Sequence, residues 1–112
     1  MKSFNEIEYV LNSEDFYIVG RGKQDGEHYA EIETYSPAGE DVIVTIWHNG
    51  TPKSFIEAFR AYAEDFDAEE HAALWIDSRG KNGVPATLRE LLDDADAIEG
   101  MLLEMARKLI ED

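Results

Sequence analysis

The densest group of side chains able to hold a cation or move a proton is Asp65-Phe-Asp67-Ala-Glu69-Glu70-His71. Carboxylates at such spacing ligate calcium, but a loop of the EF-hand type needs glycine where Glu70 stands and glutamate where Ile76 stands. Both positions are wrong, and acidic residues at a helix start are accounted for by the positive end of the helix dipole. Asp93, Asp94 and Asp96, with Glu90 and Glu99, form a second acidic group. At about 3.6 residues per turn they spread over a wide solvated face. His28, His48 and His71 show no His-x-x-x-His spacing, so each is expected at a polar rim, although any two can meet in space. The run Gly20-Arg-Gly-Lys-Gln-Asp-Gly26 follows a strand as a phosphate loop does. It lacks the Gly-Lys-Ser/Thr ending and leads into a strand, so no helix N-terminus faces the phosphate. No serine sits in a Gly-x-Ser-x-Gly elbow, and cysteine is absent. The residues ask for no metal, no cofactor and no catalytic machinery; the expectation is a protein that is not an enzyme.

The elements that position these side chains centre on residues 29–50, YAEIETYSPAGEDVIVTIWHNG. Two strands are joined at Ser36-Pro37-Ala38-Gly39, where proline sets φ and glycine tolerates positive φ. In the first arm Ala30, Ile32 and Thr34 point one way, and Tyr29, Glu31, Glu33 and Tyr35 the other. The second arm, Val42-Ile43-Val44-Thr45-Ile46-Trp47, is apolar on both faces, which predicts a cover on both sides. Phe16-Tyr17-Ile18-Val19 predicts a first strand ending at Gly20-Arg21-Gly22, and Lys23-Gln24-Asp25-Gly26 a polar turn.

Helices surround this meander. Ser3 and Glu6 have the form of a capping box before a short helix over 4–11, on which Phe4, Ile7 and Leu11 share a face. Thr51-Pro52, or alternatively Ser54 with Glu57, starts a helix over 52–65, with Phe55, Ile56, Phe59, Tyr62, Ala63 and Phe66 at helical spacing. Asp67 with Glu70 opens a short helix to about Ile76, and residues 78–85 form the clearest loop. Thr87 with Glu90 caps a last helix with an apolar stripe of Leu88, Leu91, Leu92, Ala95, Ile98, Leu102, Met105 and Leu109. Gly100 interrupts it at a cost of about 1 kcal/mol, as a bend or a close packing contact would require. The fold class is α+β: a three-stranded antiparallel meander against three C-terminal helices, with a short N-terminal helix, in a single domain over 1–112.

Charge decides which partners remain. The chain of 112 residues carries 25 acidic and 10 basic residues, a net −15, with 44% apolar residues for a core. The first 50 residues hold 10 acidic and 3 basic ones, so the imbalance is no tail effect. Such a domain repels nucleic acid and anionic membranes and attracts basic partners. No apolar run approaches the roughly 18–20 residues of a membrane span, and MKSFNEIEYVL has no signal-peptide character. With no cysteine, the expected setting is cytoplasmic. Two surface features point to binding. Val42, Val44, Ile46 and Trp47 lie on a strand at the sheet edge, where a helix of the same chain or another chain, as a homodimer or a bound peptide, is expected to cover it. Arg79 and Lys81, in the 78–85 loop, offer a local contact for an anionic group.

The run Glu33-Thr-Tyr-Ser-Pro-Ala-Gly-Glu-Asp41, followed by an apolar strand and by Tyr62-Ala-Glu-Asp-Phe-Asp67 leading to Glu69-Glu70, resembles a group of small acidic proteins encoded by bacteriophages and mobile elements, mainly of Firmicutes. The similarity covers roughly residues 32–75 and weakly the last helix. That group has no established activity, so the resemblance implies a genomic context and no site residues. The expected function is a non-enzymatic, protein-binding accessory module. The alternative is a DNA mimic, an anti-restriction or anti-defence factor, with carboxylates standing in for phosphates in ordered rows.

Overall fold

The computed structural model describes residues 2–76 and 87–111, without the side chains of Trp75 and Ile76. The first helix, α1 (Phe4–Ser13), is opened by the capping box: Glu6 N–H donates to Ser3 Oγ at 3.2 Å, and Ser3 N–H donates to Glu6 Oε1 at 3.0 Å. It runs two residues beyond its expected end. Asp15 then turns the chain with a φ of 61°, and Phe16 N–H reaches back to Leu11 C=O at 2.9 Å. This turn puts Phe16 in the core rather than on a strand, edge to face with Phe59 at 6.4 Å.

Strands β1 (Tyr17–Gln24), β2 (Glu27–Tyr35) and β3 (Asp41–His48) form the antiparallel meander in the order β1-β2-β3. The glycines do not end β1. Its pairing continues through Gly20 and Gly22, after a bulge between Ile18 and Gly20. The Tyr29 ring and the Glu31 side chain, from the facing strand, occupy the space the two glycines leave: a Cβ at Gly22 would sit 2.4 Å from the Tyr29 hydroxyl, and one at Gly20 3.5 Å from the Glu31 carboxylate. The turn shrinks to Asp25-Gly26, both at positive φ, the geometry that matches strand twist in a two-residue hairpin. At the other hairpin Gly39 N–H donates to Ser36 C=O at 2.9 Å, with Gly39 at φ 90°.

One face of the sheet carries the core. Ala30, Ile32 and Thr34 of β2 and Val42, Val44 and Ile46 of β3 are buried there, with Phe55 and Phe59 of α2 (Pro52–Asp65) and Ile98, Leu102 and Met105 of α4 (Leu88–Ile110). Ile7 and Leu11 bring α1 into the same cluster. Among the described residues a cover lies on only one side of β3: Ile43 is 45% and Trp47 44% exposed. The described helices all lie on the inner face, so the apolar outer residues of β3 stay open to solvent.

Of the two capping registers, α2 uses the first. Ser54 N–H donates to Thr51 Oγ1 at 3.2 Å with Pro52 in the first turn, while Ser54 Oγ accepts from Asn49 N–H at 2.9 Å. Thr51→Ala is expected to lower stability by about 1 kcal/mol in urea unfolding, the usual loss for an N-cap; a change below a few tenths would mean that the cap contributes nothing. A second, smaller cluster joins α3 (Ala68–Ile76) to the start of α4 through Ala68, Ala72, Leu91 and Ala95, and Phe66 packs against both clusters. Asp67 and Thr87 cap these helices as expected. α4 runs unbroken through Gly100, where a Cβ would meet nothing within 4 Å, so this glycine marks no tight packing contact. The loop expected over 78–85 lies outside the described residues.

Candidate functional site

The outer face of the sheet follows from register. Tyr17 faces Glu33, which faces Ile43; Gly22 faces Tyr29, which faces Trp47; Glu31 faces Thr45, and Tyr35 faces Asp41. Because strand side chains alternate, these rows all point away from the helices. Tyr29 and Trp47 meet with ring centroids 5.2 Å apart, and Tyr17, Tyr35 and Ile43 stand exposed farther along the same face.

The carboxylates of this face are crowded. Glu33 lies within hydrogen-bonding reach of Asp41, and that bond, partial burial and the like charge of Asp41 push its carboxyl above the ordinary 4.5. The Tyr35 hydroxyl is pushed above 10.0 by the charge of Glu33 and then of Asp41. Among the described residues no lysine or arginine is bridged to them. Arg21 and Lys23 pair with Ala30 and His28, on the inner side, and Arg21 is bridged to Glu8 of α1 at 3.1 Å. The arrangement offers flat aromatic surface, uncompensated negative charge and an edge strand, β3, which pairs only with β2 among the described residues.

The residues expected to make contacts divide sharply. Val42, Val44 and Ile46 are core side chains and present only backbone at the edge. Trp47 belongs to the open face. Arg79 and Lys81 lie outside the described residues. Tyr17, Tyr35, Ile43 and Asp41 were not among the expected contacts, although the period-two pattern of β2 already set Tyr29, Glu31, Glu33 and Tyr35 on one side.

The histidines do not assemble a metal centre. His28 and His48 stack at 5.6 Å, in a cleft of about 360 Å³ that Phe4 and Phe55 also line. Gly50 N–H donates to His48 Nδ1 at 3.0 Å, and burial, then the nearby His28, pulls the His48 pKa below 6.5. His71 lies elsewhere, with Nε2 2.7 Å from Glu40 Oε1. Among the described residues no three His, Asp or Glu side chains are arranged to hold a metal, and no helix is long and apolar enough to cross a membrane. No protein-family model, curated protein or solved structure matches the chain.

Proposed function

We propose that this chain is a non-enzymatic, protein-binding module whose outer sheet face docks a basic segment of a partner protein. The observation that carries this reading is a face of Tyr17, Tyr29, Tyr35, Ile43 and Trp47, interleaved with Glu31, Glu33 and Asp41, that among the described residues is uncovered and free of lysine and arginine. Tyrosine and tryptophan supply interface area at small entropic cost, and their ring faces attract lysine and arginine. A guanidinium or ammonium placed between Glu33 and Asp41 would remove the like-charge repulsion those two now bear. A second copy of the chain is a poor occupant, because it brings the same carboxylates and a further −15 to the interface. The resemblance to phage and mobile-element proteins supports an accessory role in a bacterial cytoplasm. The DNA-mimic alternative draws no support from the placement of its carboxylates. Asp94 is buried, Glu31 and Glu33 lie on the sheet, and Asp93 and Asp96 lie on α4 of the helical layer, so they make no single row.

The test is quantitative capture of partners from the native host by tagged wild-type protein, Trp47→Ala and, as a control on a distant helix, Leu103→Ala. One basic protein should be recovered by wild type and by Leu103→Ala, and recovery should weaken as salt rises. Trp47→Ala should lower its affinity about 30-fold, the loss of an anchor worth about 2 kcal/mol. Equal binding by Trp47→Ala and wild type would remove the sheet face from consideration.

A further inference from the structure

A buried polar cluster joins the tip of the β2–β3 hairpin to the helices, on the inner side of the sheet. Glu40, 5% exposed, follows the hairpin turn; Asp94, 7% exposed, lies on α4; His71 lies on α3. Ala38 N–H donates to Asp94 Oδ1 at 3.0 Å, and His71 Nε2 is 2.7 Å from Glu40 Oε1. Asp94 Oδ2 is buried and has no partner among the described residues, a costly state for a charged group. Glu40 stands within hydrogen-bonding reach of Asp94, so two carboxyl groups meet with only acceptors between them unless one carries a proton.

We propose that Glu40, Asp94 and His71 hold one shared proton, and that this proton latches the hairpin tip onto α3 and α4, so that the latch loosens as pH rises. With the proton in place, Glu40 donates to Asp94 Oδ2, and its other oxygen accepts from His71 Nε2–H. The buried Asp94 Oδ2 then has a donor. When the proton leaves to solvent, two carboxylates face each other in a buried site, and repulsion separates the hairpin from α4.

The charged groups acting on Glu40 are His71 from α3 and Asp94 from α4; from the hairpin itself, Ser36 Oγ is neutral and accepts from Glu40 N–H at 2.9 Å. Burial raises the Glu40 pKa, His71 lowers it in part, and Asp94 adds to the rise, leaving it above the ordinary 4.5. A carboxyl raised in the folded state binds its proton more tightly there than in the unfolded chain. Its contribution to stability is therefore complete below 4.5 and is lost as pH rises through the folded value.

Hydrogen exchange of the Ala38 amide, corrected for intrinsic rate, reads the latch directly, because Asp94 is the acceptor of that N–H. From about pH 5 to about pH 8 its protection in the wild type should fall about tenfold or more. In Glu40→Gln it should stay flat, since a carboxamide donates to Asp94 and accepts from His71 at every pH. A flat wild-type profile, or the same slope in Glu40→Gln, overturns the proposal. Should the variant not fold, carbon NMR titration of the wild-type Glu40 carboxyl decides: a midpoint above 4.5 supports the latch, and an ordinary midpoint overturns it.

Discussion

Phe59→Ala is expected to cost about 3–5 kcal/mol of stability, the range for emptying a fully buried aromatic site. Phe59 has no exposed surface and sits in the cluster where the inner sheet face, α2 and α4 meet. Its ring is set edge to face against Phe16, itself held inward by the turn at Asp15. Truncation therefore loses the transfer energy of the ring, the aromatic contact and the packing of neighbours from three elements. The surrounding strand and helices cannot close the gap without breaking backbone pairing, which argues for the upper part of the range. Since a domain of this size has only about 5–15 kcal/mol in total, the variant should unfold at markedly lower urea, with the slope of the transition little changed. A loss below about 1 kcal/mol would mean that the helices do not pack on the sheet as described.

The second large effect is expected at Gly50, between β3 and α2. Gly50 has a φ of 95°, a conformation that costs an L-residue about 1–3 kcal/mol. An added Cβ would also lie 2.8 Å from His28 Nε2. Gly50→Ala must therefore bear the backbone strain and push His28 off its stack with His48, or shift the backbone and lose the Gly50 N–H bond to His48 Nδ1. Stability should fall by about 1–3 kcal/mol, and the ring-proton signals of His28 and His48 should move while those of His71 stay in place. Unchanged histidine signals together with wild-type stability would refute this account of the turn.

These two sites differ in how far the chain announces them. Phe59 stands in a helical repeat with Phe55, Ile56, Tyr62 and Ala63, so its burial follows from spacing alone. The need for glycine at position 50 is visible only once His28, from another strand, is brought against it. The same division runs through the candidate site. Alternation along β2 sets Tyr29, Glu31, Glu33 and Tyr35 on one side, and that is a local property of extended chain. Whether that side is covered depends on where the helices go. The apolar run over 42–47 suggested two covers, yet the described helices all lie on the inner face.

What the sequence by itself determined is therefore everything governed by neighbours a few positions apart. The Ser3–Glu6 box, the Thr51-Pro52 start, the Asp25-Gly26 turn and the order of helices and strands all rest on backbone geometry and on hydrogen bonds spanning three or four residues. The tertiary structure alone decided the rest. It carried β1 past its glycines by laying Tyr29 and Glu31 over them, and left one face of the meander bare. It also brought Glu40 to His71 and Ala38 to Asp94 across 31 and 56 positions of chain. Such contacts depend on how packed elements meet, and no periodicity in the chain encodes where two distant carboxyl groups will share a buried site.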